Sequence, residues 1–255
     1  QAKLSMDIEH DGTGNPQRLT IVGVMGRYIL KTQTERFERL PEIEDLSMHL
    51  AEIAKIPTVP HALIRFADGE LNYITRRIDR TADGRKLPME DMCQLAGKLT
   101  EQKYQGSYEM ITRIIDQYSN ASQLDKVNYW QQVVFSWIIG NADMHLKNFS
   151  LYRPADSYQL APAYDLVNVS IANPNDKEEL ALTLSGRKNK LKLDHFLQAA
   201  ATMGLEEKVV LRLIASMNKA FPKWKSLIHS SFLSEDMKKA YEDTIVKRLE
   251  RLQKR

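Results

Sequence analysis

The hydrophobic pattern changes once along this chain, near residues 80–83, from the two-residue period of strands to the wider spacing of helices. Before that point, Leu4, Met6 and Ile8 alternate with polar residues, which favours a strand. Four more strands are predicted, over residues 19–24, 28–31, 62–66 and 71–78. One helix is expected over residues 41–54, where apolar side chains recur at helical spacing: Ile43, Leu46, Leu50 and Ile53. This part of the chain is therefore expected to form an antiparallel sheet with one helix.

The chain after residue 83 is predicted to be mostly helical. Ser107 is expected to cap a helix that runs to about Tyr118. Ser122 and Asp125 resemble a capping pair ahead of a longer helix, which Gly140 is expected to end. Core packing is the expected role of the two tryptophans on this longer helix, Trp130 and Trp137.

A short hairpin is predicted between residues 148 and 161. Further helices are expected to begin at Asp194 and to be broken at Gly204 and Pro222. Together these patterns predict an α+β protein with two lobes. The smaller lobe, an antiparallel sheet with a helix, is expected to cover residues 1–82, and the larger, mostly helical lobe residues 83–255.

The composition favours a soluble globular protein, since 43% of the residues are hydrophobic and 27% are charged. No apolar run approaches the roughly 20 residues of a membrane helix, and no secretory signal opens the chain. The chain begins with Gln1 rather than Met, so a preceding segment is expected to be missing. Cys93 is the only cysteine, which excludes an internal disulfide and cysteine-rich zinc modules and favours a reducing cytoplasm.

The net charge of +3 is too small to indicate nucleic-acid binding by itself. Residues 236–255 hold seven Lys or Arg and four Asp or Glu, a difference that equals the net charge of the whole chain. A solvated helix face is the favoured interpretation of this segment, with a docking surface as the alternative. The basic run 187–192 is also expected to be a solvated loop rather than a phosphate or partner site.

The most informative stretch is the polar loop after the long apolar helix. Asp143 is followed five residues later by Asn148, which is the spacing of the protein-kinase catalytic loop. In that loop the Asp accepts the proton of the attacking hydroxyl and the Asn binds magnesium. Asp165, seventeen residues beyond Asn148 and across the predicted hairpin, would supply a second hard oxygen ligand. Lys31, on an early strand, is placed to bind phosphates.

Each of these features is weak alone, because an Asp and an Asn at this spacing often occur by chance and a lysine at a strand end is most often solvated. Their order around a lobe boundary is what favours a kinase-like interpretation.

Beyond spacing, residues 140–150 closely resemble the signature of HipA-like serine/threonine kinases, the toxins of bacterial toxin–antitoxin systems. Residues 160–165 resemble the metal-binding segment of the same family. The resemblance runs from the first residue to about Leu197 and includes four further stretches: residues 1–5, 40–44, 77–80 and 90–95.

The resemblance implies a two-lobed protein-kinase-like fold that binds ATP and Mg²⁺. It implies that Asp143 is the catalytic base and that Asn148 and Asp165 are the magnesium ligands. It also implies nucleotide contacts by Lys3, Lys31, Arg76, Arg77, Ile78, His145 and Tyr164. The implied partners are a protein substrate, with an aminoacyl-tRNA synthetase as a candidate, and a small helix-turn-helix antitoxin that would be the only link to DNA.

The chain departs from the family pattern at two places, and the roles of several site residues stay open. The Gly-rich or Ser-containing phosphate loop of the family should immediately precede Gln1, and Ile78 stands where the family usually has Phe. His145 is expected either to contact the nucleotide or to be structural, and Lys147 either to bind a phosphate or to be exposed. An ion pair of Lys31 with the helix residue Glu44, as in eukaryotic protein kinases, is a further alternative.

Two other functions compete with protein phosphorylation. One is a nucleotide-binding but catalytically silent regulator that acts by holding a DNA-binding antitoxin. The presence of Asp143, Asn148 and Asp165 argues against it, because a decayed site usually loses one of them. The other is phosphorylation of a small molecule.

Overall fold

Five antiparallel strands form a sheet at the N-terminal side of the chain in a computed structural model of the protein. The structure describes residues 1–23, 25–173, 175 and 177–253. Val24, the last residue of the predicted second strand, and residues 254 and 255, at the end of the predicted helical lobe, lie outside the described residues. The strands lie in the order β2-β1-β3-β5-β4, and they are β1 (Lys3–His10), β2 (Pro16–Ile21), β3 (Tyr28–Lys31), β4 (His61–Arg65) and β5 (Leu71–Arg76).

The register of the three middle strands sets one face of the cleft described below. Lys3 of β1 lies opposite Lys31 of β3, and Lys31 lies opposite Tyr73 of β5. Directly opposed residues of neighbouring strands project on the same side of a sheet. These three side chains therefore share one face, which brings two ammonium groups to one place.

The helix α1 (Leu40–Ile53) connects β3 to β4 and has Pro41 in its first turn, where proline is well tolerated. Its apolar side packs on β5, and its other side packs on the C-terminal helices. The Trp224 indole donates to the Leu50 carbonyl oxygen at 2.8 Å, and the Ser47 and Tyr241 hydroxyls are also 2.8 Å apart. The helix is thus fixed from both sides.

The remainder of the chain is mostly helical, with one small antiparallel sheet of three strands. That sheet consists of β6 (Met89–Asp91), β7 (Ser150–Tyr152) and β8 (Gln159–Leu160). The helices are α2 (Met92–Leu95), α3 (Tyr108–Tyr118), α4 (Ser122–Ile139), α5 (Val169–Ala172), α6 (Leu193–Thr202), α7 (Glu207–Ser230) and α8 (Glu235–Gln253). The two-lobed α+β fold class predicted from the sequence is confirmed.

The helix α4 forms the centre of the hydrophobic core. Its last eight residues, 132–139, are all buried, because helices pack around it on several sides. Gly140 ends the helix with φ 87°, in the left-handed region that favours glycine. A Cβ at this position would lie 2.6 Å from the Asn168 Oδ1 atom, so glycine is also required sterically. This helix end fixes where the following polar loop begins.

Most predicted elements are confirmed, but the second strand spans Pro16–Ile21 rather than the predicted residues 19–24, because its pairing with β1 begins directly after the tight turn at residues 11–15. The cap of α4 also differs from the predicted one. Neither Ser122 nor Asp125 caps the helix; the N-cap residue is Ala121, without a side-chain cap. The buried Asp125 carboxylate instead accepts hydrogen bonds from the Ser119 hydroxyl at 2.5 Å and the Leu160 amide at 2.8 Å. Asp125 therefore attaches the β7–β8 hairpin to α4, a tertiary role that a local motif does not predict.

The predicted break at Pro222 is also wrong, whereas Gly204 does end a helix, with φ 75°. Pro222 lies inside α7, which continues without interruption to Ser230. An interior proline costs a helix about 3 kcal/mol. Burial of the same helix face on both sides of the proline, including Met217 and Trp224, offsets this cost.

The last helix is not simply a solvated basic face. The buried Arg248 guanidinium donates to the carbonyl oxygen of Trp137 on α4, and Arg251 forms a bidentate ion pair with Glu179 at 2.8 and 3.1 Å. Burial lowers the pKa of Arg248 to about 10. The expectation of a solvated segment is therefore wrong for these two arginines, because α8 packs along α4.

Among the described residues, no helix combines the length and the apolar character that crossing a membrane requires. The expected core role of Trp130 and Trp137 is confirmed, since both side chains are fully buried. One continuous hydrophobic cluster extends from α1 through α4 to α8.

Candidate functional site

A cleft of about 1150 Å³ lies against the face of the sheet that carries the two opposed lysines. Strands β1, β3 and β5 line one side, and the loop after α4 with the segment after β8 lines the other. All eleven site residues predicted from the sequence line this one cleft: Lys3, Lys31, Arg76, Arg77, Ile78, Asp143, His145, Lys147, Asn148, Tyr164 and Asp165. Their roles remain predictions, but the fold brings them together from five separate parts of the chain.

The Lys31 ammonium group is the centre of the site. It donates to the Glu44 carboxylate of α1 at 2.5 Å and to the Asp165 carboxylate. Lys3 also pairs with Asp165, at 3.4 Å. The Tyr73 ring lies 5.3 Å from the Lys31 ammonium, a distance at which a cation and an aromatic face attract each other. The alternative in which Lys31 pairs with Glu44 is therefore confirmed.

Two effects set the pKa values in this cluster: burial, and the number of oppositely charged partners that each group has. Burial opposes the charge on Lys31, but the attraction of Glu44 and Asp165 outweighs it and raises the pKa of Lys31. Burial raises the pKa of Glu44 to about 7, despite the nearby lysine. Burial also acts against the ionised form of Asp165, yet the attraction of Lys31 and Lys3 holds the pKa of that carboxyl far below its usual range. The Asp165 carboxylate is therefore charged at any physiological pH.

The backbone of Asp165 is held in an uncommon conformation. Its φ is 55°, in the left-handed region that is sparsely populated except by glycine, asparagine and aspartate. Such strain persists only where surrounding contacts fix the residue, and it clusters at functional sites. The two lysines that hold the Asp165 carboxylate provide those contacts.

The loop after α4 presents Asp143 to the cleft. The neighbouring Met144 and Leu146 side chains are fully buried and anchor the loop, whereas Asp143 is exposed. The Asn141 side-chain oxygen accepts from the Asp143 amide at 3.2 Å, which fixes the backbone there. The Tyr104 hydroxyl donates to the Asp143 Oδ1 atom at 2.7 Å. One carboxylate oxygen of Asp143 is thus oriented by a phenol, and the other oxygen takes no part in this bond.

His145 and Asn148 lie deeper in the same loop, and both are buried. The His145 ring meets the edge of the Tyr104 ring at 5.1 Å, and its Nδ1 atom is buried without a hydrogen-bond partner in the described part of the chain. Burial lowers the pKa of His145, although Asp143 nearby acts in the opposite direction. His145 therefore has an unused buried polar atom, which favours a ligand contact over a purely structural role.

Lys147 and Tyr164 are occupied by protein partners. Lys147 forms an ion pair with Asp91 at 2.8 Å, which raises the pKa of Lys147 through a side-chain hydrogen bond. The Tyr164 hydroxyl lies 2.6 Å from the Ser150 hydroxyl and donates to the Lys147 carbonyl oxygen at 3.1 Å. Neither of the two alternatives for Lys147 describes this arrangement, in which the lysine joins the loop to the small sheet.

The segment after β5 borders the cleft with Arg76, Arg77 and Ile78. The Arg76 amide already donates to Pro60, and the Arg77 amide to Arg27, at 2.9 and 2.8 Å. The Arg77 guanidinium forms a bidentate pair with Asp79. Hydrogen bonds from this segment to an adenine would therefore have to use other backbone groups, while the half-buried Ile78 side chain offers an apolar surface.

Two residues of the site were not found from the sequence. Tyr104, the partner of Asp143, comes 39 positions earlier in a different segment, and no local motif links the two. Asp91 lies in one of the family-like stretches, but nothing in the sequence identifies it as the partner of Lys147. Lys188, in the basic run that was expected to be solvated, lies at the edge of the cleft and pairs with Glu178 at 3.1 Å.

These side chains fit a nucleotide with a divalent ion. Lys3 and Lys31 already hold an anionic group, the Asp165 carboxylate, inside the cleft, so an anionic ligand finds two cations there. Asn148 and Asp165 offer the hard oxygen atoms that Mg²⁺ prefers. The cleft volume is large enough for a ligand of nucleotide size.

Comparison with known proteins gives consistent matches along the chain. The model of the HipA-like C-terminal domain family matches residues 1–225. A Sinorhizobium fredii protein named "Putative kinase Y4dM" is 32% identical over 219 residues, which cover 80% of this chain and 52% of that protein. A Haemophilus influenzae protein named "Putative kinase" is 26% identical over 246 residues, which cover 84% of this chain and 71% of that protein. The chain therefore spans about half the length of the first of these relatives.

Two solved structures share the fold. The HipA chain in the Shewanella oneidensis MR-1 complex of HipA, HipB and operator DNA superposes with a TM-score of 0.78 at 20% identity, covering 98% of this chain and 63% of that one. The Helicobacter pylori proinflammatory kinase CtkA superposes with a TM-score of 0.66 at 15% identity, covering 98% and 93%. At these identities the likeness establishes the fold, a two-lobed kinase-like one.

In the absence of nucleotide and metal, Lys31→Met should destabilise the folded chain by roughly 3 kcal/mol, because it leaves the Glu44 carboxyl buried without its cation. Lys3→Met is the matched control, since its side chain is 54% exposed whereas that of Lys31 is 5% exposed. The exposed pair should contribute at most about 1 kcal/mol. Urea unfolding of both variants measures the difference, and equal free energies of unfolding would contradict the importance of the buried pair.

Proposed function

This chain belongs to the HipA-like C-terminal domain family, and we propose that it is an ATP-dependent serine/threonine protein kinase. The observation that carries the proposal is the position of Asp165, held by Lys31 and Lys3 in the same cleft as Asp143 and Asn148. The reaction we propose is transfer of the γ-phosphoryl group of ATP to a hydroxyl of another protein. The site would lie where the β-rich lobe, residues 1–82, meets the helical lobe, residues 83–255, which is the division that we propose for the chain.

Bound magnesium would neutralise charge on the phosphates, which is the chemistry that the ion supplies in phosphoryl transfer. Asn148 and Asp165 would hold the ion through their side-chain oxygen atoms. Lys31 and Lys3, released from Asp165 in part, would hold phosphate oxygens and orient the nucleotide. Such a site works mainly by positioning groups and stabilising charge, so the fixed directions of these side chains matter more than their reactivity.

Asp143 would act as the general base. Its carboxylate is exposed at the cleft, where the hydroxyl of a large substrate can reach it, and its Oδ1 atom is held by Tyr104. The free Oδ2 atom would accept the proton of the attacking serine or threonine hydroxyl. Tyr104 is a positioning residue in this scheme, because it touches the base rather than the substrate.

The catalytically silent regulator is less well supported, because the side chains that a kinase needs are present and converge on one cleft. Phosphorylation of a small molecule stays a competing function. The exposed position of Asp143 favours a macromolecular substrate over an enclosed small one.

We also propose a protein partner, a small helix-turn-helix antitoxin through which the chain would reach DNA. The HipA structure that this chain resembles is a complex with HipB and operator DNA. We further propose a cytoplasmic location and a translation-related substrate, with an aminoacyl-tRNA synthetase as the candidate.

Incubation of the chain with labelled ATP, Mg²⁺ and a cell lysate should label a protein on serine or threonine. Asp143→Asn should lower the labelling by about two orders of magnitude or more, as expected when one group of such a site is lost. Asp156→Asn, in the exposed turn of the β7–β8 hairpin, is the control and should label normally. A labelled metabolite would support the small-molecule alternative, no label in any form would support the silent regulator, and full activity of Asp143→Asn would contradict its role as base.

Asp165→Asn should fail in a different way from Asp143→Asn. Loss of a metal ligand should weaken the affinity for Mg-ATP as well as the turnover, whereas loss of the base should leave the affinity largely intact. Calorimetric titration of Mg-ATP into each variant separates the two roles. The melting temperature of each variant must be recorded as well, because Asp165→Asn also removes one of the two carboxylates that pair with Lys31. Equal affinities in two folded variants would remove Asp165 as a metal ligand.

Natively expressed protein should co-purify with a small DNA-binding protein encoded beside it. The expectation rests on family membership and on the resemblance to the HipA complex. Mass spectrometry of the purified material identifies the companion. Elution of the chain alone, with no binding by the neighbouring gene product, would reject the antitoxin proposal.

A further inference from the structure

A cluster outside the cleft combines two histidines and an aspartate. Asp45 and His49 lie one turn apart on α1, and His61 begins the neighbouring strand β4. One ligand atom of each residue lies within 4.8 Å of those of the other two. The two imidazole rings are 4.5 Å apart between centroids. None of the three residues lines the cleft that holds Lys31 and Asp143.

The His61 ring is oriented for a ligand. Its side chain is 1% exposed, and its Nδ1 atom lies 3.0 Å from the Val59 carbonyl oxygen. A carbonyl oxygen only accepts, so Nδ1 carries the proton and Nε2 carries a lone pair. That Nε2 atom is buried and has no hydrogen-bond partner among the described residues. A buried acceptor without a donor is costly, and a bound cation would satisfy it.

His49 has the same arrangement. Its Nδ1 atom lies 2.8 Å from the Glu52 carboxylate, and its Nε2 atom lies 3.7 Å from the Asp45 Oδ2 atom. A carboxylate behind one ring nitrogen fixes the proton there and leaves the other nitrogen basic, as in carboxylate–histidine–zinc triads. Both histidines therefore have an outer partner on Nδ1. The His49 side chain is 42% exposed, which gives a route from solvent to the cluster.

Asp45 completes the cluster with a carboxylate that is short of partners. Its Oδ1 atom is buried and has no hydrogen-bond partner in the described part of the chain. A divalent cation would compensate the negative charge of this partly buried carboxylate.

We propose that Asp45, His49 and His61 bind one Zn²⁺ ion, with water in the fourth position. Two imidazole nitrogens and a carboxylate suit zinc rather than magnesium, which prefers oxygen ligands. In a tetrahedral zinc site the ligand atoms are roughly 3.4 Å apart, so the cluster needs only small side-chain rotations to close.

The ion would tie α1 to β4. Its ligand Asp45 directly follows Glu44, the partner of Lys31, so the site would hold the part of the helix that carries Glu44. The ion would lie outside the cleft, so it would hold this part of α1 whether or not a nucleotide is bound. Zinc binding at this site does not depend on the proposed kinase reaction.

Zinc binding by the full chain, freed of any affinity tag and stripped of metal, tests the proposal. Competition with a chromophoric chelator should give one Zn²⁺ per chain, and zinc should raise the melting temperature. His49→Gln and Asp45→Asn should each weaken zinc binding by about 100-fold or more, since loss of even an outer-shell partner costs 10–100-fold. His229→Gln is the control, because that histidine is 55% exposed and pairs with Glu242 far from the cluster in sequence. A wild-type chain that binds no zinc, or variants that bind as tightly as the wild type, would overturn the proposal.

A second measurement on the wild-type chain needs no variant. Co²⁺ in place of zinc should give the strong visible absorption of a four- or five-coordinate ion, and a weak octahedral spectrum would overturn the proposal. A large excess of Mg²⁺ should leave the zinc in place. Displacement by Mg²⁺ would instead assign the zinc to the oxygen ligands of the cleft.

Discussion

The buried ammonium group of Lys31 is the interaction on which the cleft depends. It joins three parts of the chain that are far apart in sequence: β3, which carries the lysine, α1, which carries Glu44, and the segment after β8, which carries Asp165. Two carboxylates share this cation, with help from Lys3 on the exposed side. Burial still raises the pKa of Glu44, because the attraction of Lys31 only partly offsets the cost of burying that carboxylate and Asp165 repels it. A ligand that carries both a cation and anionic groups can exchange ion-pair partners with these lysines and carboxylates. No new site has to form for it to bind.

Packing behind the cluster keeps these groups in place. The C-terminal helices hold α1 through Trp224 and Tyr241, so the position of Glu44 is set by residues more than 170 positions later. On the other side of the cleft, the buried helix α4 ends sharply at Gly140, and the loop that follows is anchored by Met144 and Leu146. Asp143 can be exposed and still have a fixed direction for this reason. The core therefore determines the geometry of the site as much as the site residues do.

The sequence predicted what local patterns encode. Strand alternation and helical spacing identified the five strands and α1, and the spacing from Asp143 to Asn148 and Asp165 selected side chains that do line one cleft. Tertiary contacts explain the failures. The position of Asp125 at the start of α4 predicts a cap, but its carboxylate accepts from a backbone amide of the hairpin instead. Pro222 predicts a helix break, because the packing that offsets its cost is not visible in the sequence. The pairing of Tyr104 with Asp143 and the meeting of His49 with His61 depend on how distant segments pack, and no local pattern encodes either.

A crystal structure of the chain with Mg²⁺ and a non-hydrolysable ATP analogue would test directly whether the Lys31 cluster forms a nucleotide site. We expect nucleotide density in the cleft beneath β1, β3 and β5, with the metal on Asn148 and Asp165 and a phosphate oxygen on Lys31. Asp143 should remain bonded to Tyr104 and should face the terminal phosphate. A nucleotide bound elsewhere, or a metal held without Asp165 while that carboxylate stays on Lys31, would contradict the account.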